Sequence, residues 1–229
     1  MRVHAALGDP ARLAIVDALL LGDASPGEIA QDLGMPTNLV AHHLNVLQET
    51  GLIVRSRSEG DRRRTYLRLV PDILGGMTPA VGWRVPRVVF VCTHNSARSQ
   101  LAAALWVGRS PIPTACAGTQ PARRVHPRAV RVARRHGLAL ATARPVHVAD
   151  VVRGDDLLVA VCDNAHERLG EQPRRRLHWS VPDPAVADTD RAFEAAYTDL
   201  AGRIDRLAAV LTPGADHDRH DRHDRVPPR

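Results

Sequence analysis

The stretch VVFVCTHNSARSQLAAALW, Val88 to Trp106, joins an apolar run, a single cysteine, a polar loop, an arginine six residues after the cysteine, and an alanine-rich amphipathic segment. The apolar run reads as a buried strand and the last segment as a helix, so Cys92 falls in the turn between them. An ordinary thiol titrates near about pH 8.5 and reacts as its anion. The start of a helix, the nearby Arg98 and the Ser99 hydroxyl all favour that anion. The backbone of Thr93, His94, Asn95, Ser96 and Ala97 can curl so that its N–H groups point inward as an anion-binding nest. Arg98 can then hold two oxygens of a tetrahedral oxyanion as a planar fork. The spacing aims a sulfur anion at the centre of a phosphate-like ion.

Outward from this stretch the second half of the chain alternates. Strand-like runs occur at RVVFVC, IPTACAG, DDLLVAVCD and RLHWSV, with helical segments expected at 98–108, 127–136, 146–152 and 163–170, and a final helix in DTDRAFEAAYTDLAGRIDRLAAVL. Alternating strands and helices imply an α/β fold, here a four-stranded parallel sheet flanked by helices, with its active edge at the carboxyl ends of the strands. Cys92 lies at such an end.

The first half follows another pattern. Leu7, Leu13, Val16, Leu19 and Leu20 are spaced for helices, with a break at GDP. In SPGEIAQDLG, Ser25 is an expected N-cap, Pro26 suits the first helical position and Glu28 completes a capping box. Thr37 is the expected cap of NLVAHHLNVLQET, with Val40, Leu44 and Leu47 on one apolar stripe and His43 as a packing residue beside it. Two alternating runs around SEGD predict a β-hairpin. Helix, turn, helix and basic hairpin make a winged helix-turn-helix.

The phrases LGDPARLAIVDAL, VAHHLNVLQETGLI and RSRSEGDRRRTYLRL resemble the ArsR family of bacterial transcriptional regulators over roughly residues 4 to 70. The resemblance implies binding to a double-stranded DNA operator as a homodimer. Thr37, Asn38, His42 and Asn45 would face base edges in the major groove, and Arg62, Arg63 and Arg64 would meet phosphates. ArsR-type proteins usually dimerise through their first and last helices, and a long last helix after the wing is not expected here. This half has no cysteine with which to hold arsenite.

The Cys92 loop, following VVFV and leading into QLAAAL, resembles that of low-molecular-weight protein tyrosine phosphatases and of the arsenate reductases sharing their fold, from about Arg87 to Leu211. CAGTQPARRVHPRAVRVARRHG resembles the next strand and helix of that fold. His94 stands where the phosphatases usually carry glycine, and some of the reductases carry histidine there. The resemblance implies that Cys92 is the nucleophile, that Arg98, Ser99 and the loop amides support the oxyanion and the sulfur, that Asn95 holds the loop in shape, and that Asp183 of PDPA is the general acid. After Asp183–Pro184 come Ala185, Val186 and Ala187 rather than the aromatic residues that stack on phosphotyrosine, which favours arsenate over a phosphoester. Cys162 matches the second thiol of thioredoxin-coupled reductases. Their third cysteine is missing, since Arg168, Leu169 and Gly170 occupy that region. The electrons are then expected from an external thiol of the mycothiol and mycoredoxin type, or through a Cys92–Cys162 disulfide reduced by a thioredoxin-type protein. Cys162 as a small buried residue remains the alternative, and Cys116 reads as structural.

Composition sets limits on all of this. The chain has 229 residues, a net charge of +6 and no lysine, so its 31 basic residues are all arginine. Three cysteines without framework spacing fit reduced thiols, and with no apolar run of spanning length and no signal-peptide core the expected location is cytoplasmic. The expected organisation is a winged-helix domain at 1–72, a Pro/Gly-rich linker at 73–86, a reductase- or phosphatase-like domain at 87–212 and a disordered tail at 213–229. Neither a metal site nor a bound cofactor is expected. The function expected is a DNA-binding regulator fused to a thiol-dependent arsenate reductase, an oxidoreductase of arsenic resistance. The alternatives are a tyrosine phosphatase and a non-catalytic oxyanion or redox sensor that controls DNA binding.

Overall fold

The computed structural model describes residues 2–70, 73, 83–140, 143–170 and 175–214. Two hydrophobic cores form. The first gathers α1 (Arg2–Leu7), α2 (Pro10–Leu19), α3 (Pro26–Asp32) and α4 (Thr37–Glu49) on a hairpin of β1 (Ile53–Arg57) and β2 (Thr65–Leu69), and its centre is Ile15, Ile29, Val40, Leu44, Leu47, Leu52 and Leu67. Asp9 caps α2 by accepting from the Arg12 amide. Ser25 and Glu28 form the expected capping box on α3, with bonds of 3.3 and 2.7 Å. Thr37 is not a cap. Pro36 stands at the cap position with no side-chain bond, because proline already sets the entry angle, and Thr37 becomes the first helical residue.

The second core surrounds a four-stranded parallel sheet of order β5-β4-β6-β7, made of β4 (Val88–Cys92), β5 (Thr114–Gly118), β6 (Leu157–Ala160) and β7 (Arg176–His178). Every residue of β4 is buried, as a central strand covered on both faces requires. α5 (Arg98–Val107), α6 (Pro127–Arg135), α7 (Asp163–Arg168), α8 (Pro184–Ala187) and α9 (Asp190–Val210) flank the sheet, and a 3-10 turn occupies Val148–Asp150. Phe90 sits between Trp106 and Trp179, with ring centroids 5.9 Å away on either side. The α/β architecture is the one expected.

The expected linker needs correction at its end. Trp83–Val85 is a strand, β3, pairing in parallel with β8 (Leu211–Pro213), and Val85 is buried. Its backbone hydrogen bonds come from a partner more than 120 residues away, which local proline and glycine content does not reveal. Pro213 likewise belongs to β8 rather than to a tail, and Gly214 donates to Val85 O. The rest of the expected tail, and any helix after the wing at 74–82, lie outside the described residues.

The two cores are docked. The loop after α2 inserts Leu21 to Ala24 against β7: Trp179 Nε1 donates to Leu21 O (2.7 Å), Ser180 N donates to Asp23 (2.7 Å), and Arg203 and Arg68 reach the same buried carboxylate. Beside it the His166 and His178 rings stack at 4.1 Å with Tyr66 edge-on to both. His166 Nε2 bonds Glu28 (2.8 Å) and His178 Nε2 bonds Asp163 (3.0 Å), while neither Nδ1 has a partner among the described residues. Each carboxylate accepts from Nε2, so that nitrogen carries a hydrogen.

Burial pushes His166 below the usual histidine range, and Glu28 offsets this only in part. Burial alone would raise Glu28, but hydrogen bonds from His166 and Ser25 outweigh it and hold the carboxyl at about 2. Between its folded and unfolded pKa the unfolded state binds more protons at His166, so stability rises with pH there and falls once pH drops below about 6.5. Glu28 adds a further loss below its unfolded value of 4.5. Melting followed by circular dichroism should therefore show a lower Tm at about pH 5.5 than at about pH 7.5, with a flatter slope in His166→Gln, which cannot take the proton. Equal slopes in the two chains would remove His166 as the cause.

Candidate active site

Cys92 ends β4 at the carboxyl edge of the sheet and is 2% exposed. The loop after it is turned by its neighbours. The carbonyls of Cys92, Thr93, His94 and Ser96 accept bonds of 2.8 to 3.1 Å from the amides of Thr119, Gln120, Ala122 and His126. In a trans peptide the N–H points opposite the C=O, so the amides of residues 93, 94, 95 and 97 face the other way, into the loop. One of them, Asn95 N, donates to Cys92 Sγ at 3.1 Å.

Asn95 fixes the curl. Its φ is 47°, a left-handed conformation that asparagine tolerates better than most residues. Its side chain is fully buried and fully used. Nδ2 donates to Ser99 Oγ (2.8 Å), and Oδ1 accepts from Gln100 Nε2 (3.2 Å) and Val146 N (3.0 Å). Because Ser99 Oγ accepts from Asn95, its own hydrogen is free for Cys92 Sγ, 3.1 Å away. Two donors thus converge on the sulfur.

Arg98 opens α5 and is buried, with its guanidinium under the α8 loop. NH2 donates to Asp183 Oδ2 (2.7 Å), and NH1 donates to Val181 O (2.8 Å) and to Glu59 Oε2 (3.3 Å). Burial alone would lower its pKa, but the charges of Cys162, Asp183, Cys92 and Glu59 outweigh it and raise it. Asp183 caps α8 through the Ala185 amide (3.0 Å), which holds its carboxylate above the loop.

The other expected residues fall at different distances from this centre. Thr93 is buried, with its hydroxyl 3.5 Å from Cys162 Sγ; Cys162 is fully buried at the start of α7, and burial pushes its thiol up. Ser96 and Ala97 complete the curl, and the His94 side chain is exposed. Cys116 stands opposite Phe90 on β5, with its thiol also pushed up by burial, which a hydrogen bond from the Asn95 side chain offsets only in part. Among the described residues no cluster of three metal-ligating side chains occurs. Thr37, Asn38, His42 and Asn45 are all exposed on α4, and Arg62, Arg63 and Arg64 are exposed on the wing. Asn45 accepts from Arg55, and Arg63 is paired with Asp61.

Three residues escaped the sequence reading. Glu59, at the tip of the wing, reaches Arg98, while Asp163 and Glu167 on α7 hold that tip. An acidic tip on an otherwise basic hairpin was the available signal for Glu59.

Residues 87–215 match the model for low molecular weight phosphotyrosine protein phosphatases. The chain belongs to that family. Residues 9–54 match the model for bacterial regulatory proteins of the arsR family. An arsenate reductase of Brevibacillus brevis is 31% identical over 128 residues, 53% of this chain and 92% of the relative. The HTH-type regulator CmtR of Mycobacterium tuberculosis is 43% identical over 53 residues, 23% of this chain and 45% of the relative. The Erwinia amylovora tyrosine phosphatase AmsI shares the fold, with a TM-score of 0.51 at 23% identity over 57% of this chain and 96% of that one. A helix-turn-helix unit of the ArsR family is therefore joined to a family member whose relatives include both reductases and phosphatases.

Gly118 tests the loop without touching the sulfur. A Cβ there would lie 2.8 Å from Thr93 O and 2.9 Å from Asn95 N, both backbone atoms of the curl. Gly118→Ala should cost about 1–3 kcal/mol in urea unfolding through overpacking. It should also weaken inorganic phosphate at least about tenfold by calorimetry, roughly 1.4 kcal/mol. Unaltered phosphate affinity would mean that the loop's shape is not what binds the ion.

Proposed function

We propose that this chain is a thiol-dependent arsenate reductase carried on a DNA-binding regulator that acts as a cytoplasmic homodimer. The observation that supports it most directly is the sulfur of Cys92 lying 3.1 Å from both the Asn95 amide and the Ser99 hydroxyl, at the floor of an inward-facing loop. Arsenate enters that loop, Cys92 attacks arsenic, and an oxygen leaves as water, taking up a proton that the incoming arsenate brings and that Asp183 passes to it. An external thiol then takes the arsenic from Cys92. A second thiol attacks the first one's sulfur, the disulfide forms, and the electron pair stays on arsenic as arsenite. One arsenate and two thiols give one arsenite, one disulfide and one water.

Two features favour arsenate and an external thiol. Ala185, Val186 and Ala187 offer no aromatic surface to a phosphotyrosine. Cys162 is fully buried with its thiol pushed up, which disfavours the anion that a resolving cysteine needs. A second reading, hydrolysis of phosphoesters, draws on Asp183 held over the loop by Arg98, the placement of a leaving-group acid.

Arsenite release from arsenate with a mycothiol-type reductant should be lost in Cys92→Ser, by at least about a thousandfold for removal of a nucleophile. Cys162→Ser should keep most of its turnover under the same conditions. Loss in Cys162→Ser would assign the electrons to an internal disulfide and a thioredoxin-type partner. Fast hydrolysis of aryl phosphates with no arsenite formed would transfer the assignment to the phosphatase.

On the regulator side, the exposed face of α4 and the wing arginines are proposed to meet base edges and phosphates respectively. Arg62→Ala should weaken binding to duplex DNA evenly across sequences and reduce the slope of log affinity against log salt by about one. Fluorescence anisotropy at several salt concentrations reads it, and an unchanged slope would take Arg62 off the phosphate backbone.

A further inference from the structure

The turn at the tip of the wing, Ser58 to Asp61, is fastened to the catalytic half. Its donors point at two carboxylates one helical turn apart on α7. Glu59 N donates to Asp163 Oδ2 (2.8 Å), Asp61 N donates to Glu167 Oε2 (2.9 Å), and the Ser58 hydroxyl donates to Glu167 Oε1. Tyr66 OH donates to the same carboxylate at 3.2 Å. The fit is close, since a Cβ on Gly60 would lie 2.2 Å from Glu167 Oε2.

This fastening carries the Glu59 carboxylate to the mouth of the loop. Its Oε1 and Oε2 accept from Asp183 N at 2.9 and 3.1 Å, and Oε2 accepts from Arg98 NH1 at 3.3 Å. A guanidinium edge and a backbone amide are the donors that an oxyanion of the phosphate class uses. Both hydrogens of NH1 are committed, one to Val181 O and the other to Glu59. The single positive charge of Arg98 already faces two carboxylates, Asp183 and Glu59. A dianionic oxyanion arriving in the loop adds more negative charge to the same few ångströms. Asp183 is held in place by its cap bond and by NH2, so the anion that can leave is the one on the hairpin, more than a third exposed.

We propose that Glu59 is a tethered competitor for the oxyanion clamp, so that filling the Cys92 loop lifts the wing tip from α7. The inference rests on the reading of that loop as an oxyanion site. A carboxylate over the mouth also screens the loop against bulky phosphoesters. The same hairpin carries Arg62 to Arg64, so the element that covers the clamp is the one assigned to the DNA backbone. By thermodynamic reciprocity, whatever draws the wing tip away strengthens oxyanion binding by the same factor by which the oxyanion frees the wing.

The experiment uses the full chain and inorganic phosphate, which has the right shape and charge and is not reduced. Calorimetry should give phosphate at least about fivefold tighter in both Glu59→Gln and Glu59→Ala than in the native chain, within the usual range of coupling between sites. Hydrogen exchange on the native chain, which needs no substitution, should show the amides of Glu59 and Asp61 exchanging faster when phosphate saturates the loop. Affinities within about twofold across the three chains, or unchanged exchange at those amides, would overturn the competition and leave the oxyanion site standing. Phosphate binding to none of the three chains would overturn the site and the competition together.

Discussion

The geometry of the catalytic edge depends on one buried amide. Asn95 accepts a left-handed backbone because its side chain is bonded at both ends, to Ser99 on one side and to Gln100 and Val146 on the other. Those bonds, with the backbone bonds from the segment after β5, hold the curl against its steric cost, which is about 1–2 kcal/mol for an ordinary residue in that region. With them, the Ser99 hydroxyl is turned toward Cys92, and the loop amides face inward while their carbonyls bond the segment after β5. The setting of the Cys92 sulfur is therefore fixed by the side chain of an asparagine three residues further along the chain.

Charge is handled by the same economy. Arg98 is buried, and a buried guanidinium is tolerated only where its hydrogens find partners. Three of them do, in Val181 O, Asp183 and Glu59. Two of those partners belong to the α/β unit and one to the wing, so the neutralisation of the Arg98 cation is shared between units with separate hydrophobic cores. The Asp23–Arg203 contact repeats the pattern at the other side of the interface, where a carboxylate from the helical half meets an arginine of α9.

Most of the architecture was legible in the sequence because it is written in local patterns. The apolar run before Cys92, the alternation of strands and helices, and the Ser25–Glu28 capping box each act over a few residues and appear where expected. What escaped has the opposite character. β3 was hidden in a proline- and glycine-rich stretch because its stabilising partner is β8, at the far end of the fold. Thr37 looked like a cap because its chemistry allows it, but Pro36 had already set the backbone. The approach of Glu59 to Arg98 joins residues 39 apart, and the Ser58–Glu167 bond joins residues 109 apart. No periodicity spans such distances; at most, the acidic pair Asp163 and Glu167 could have been noted as two carboxylates on one face of a short helix.

The parallel pairing of β3 with β8 places the backbone at Trp83 beside that at Leu211, and Gly214 N closes on Val85 O. Both strands lie beyond the starting end of β4, at the edge of the sheet opposite Cys92. The first and last described strands of this half therefore share a single seam, away from the Cys92 sulfur. A segment joined at that seam disturbs none of the hydrogen bonds that shape the Cys92 loop, and the wing tip reaches that loop from the other end of the sheet.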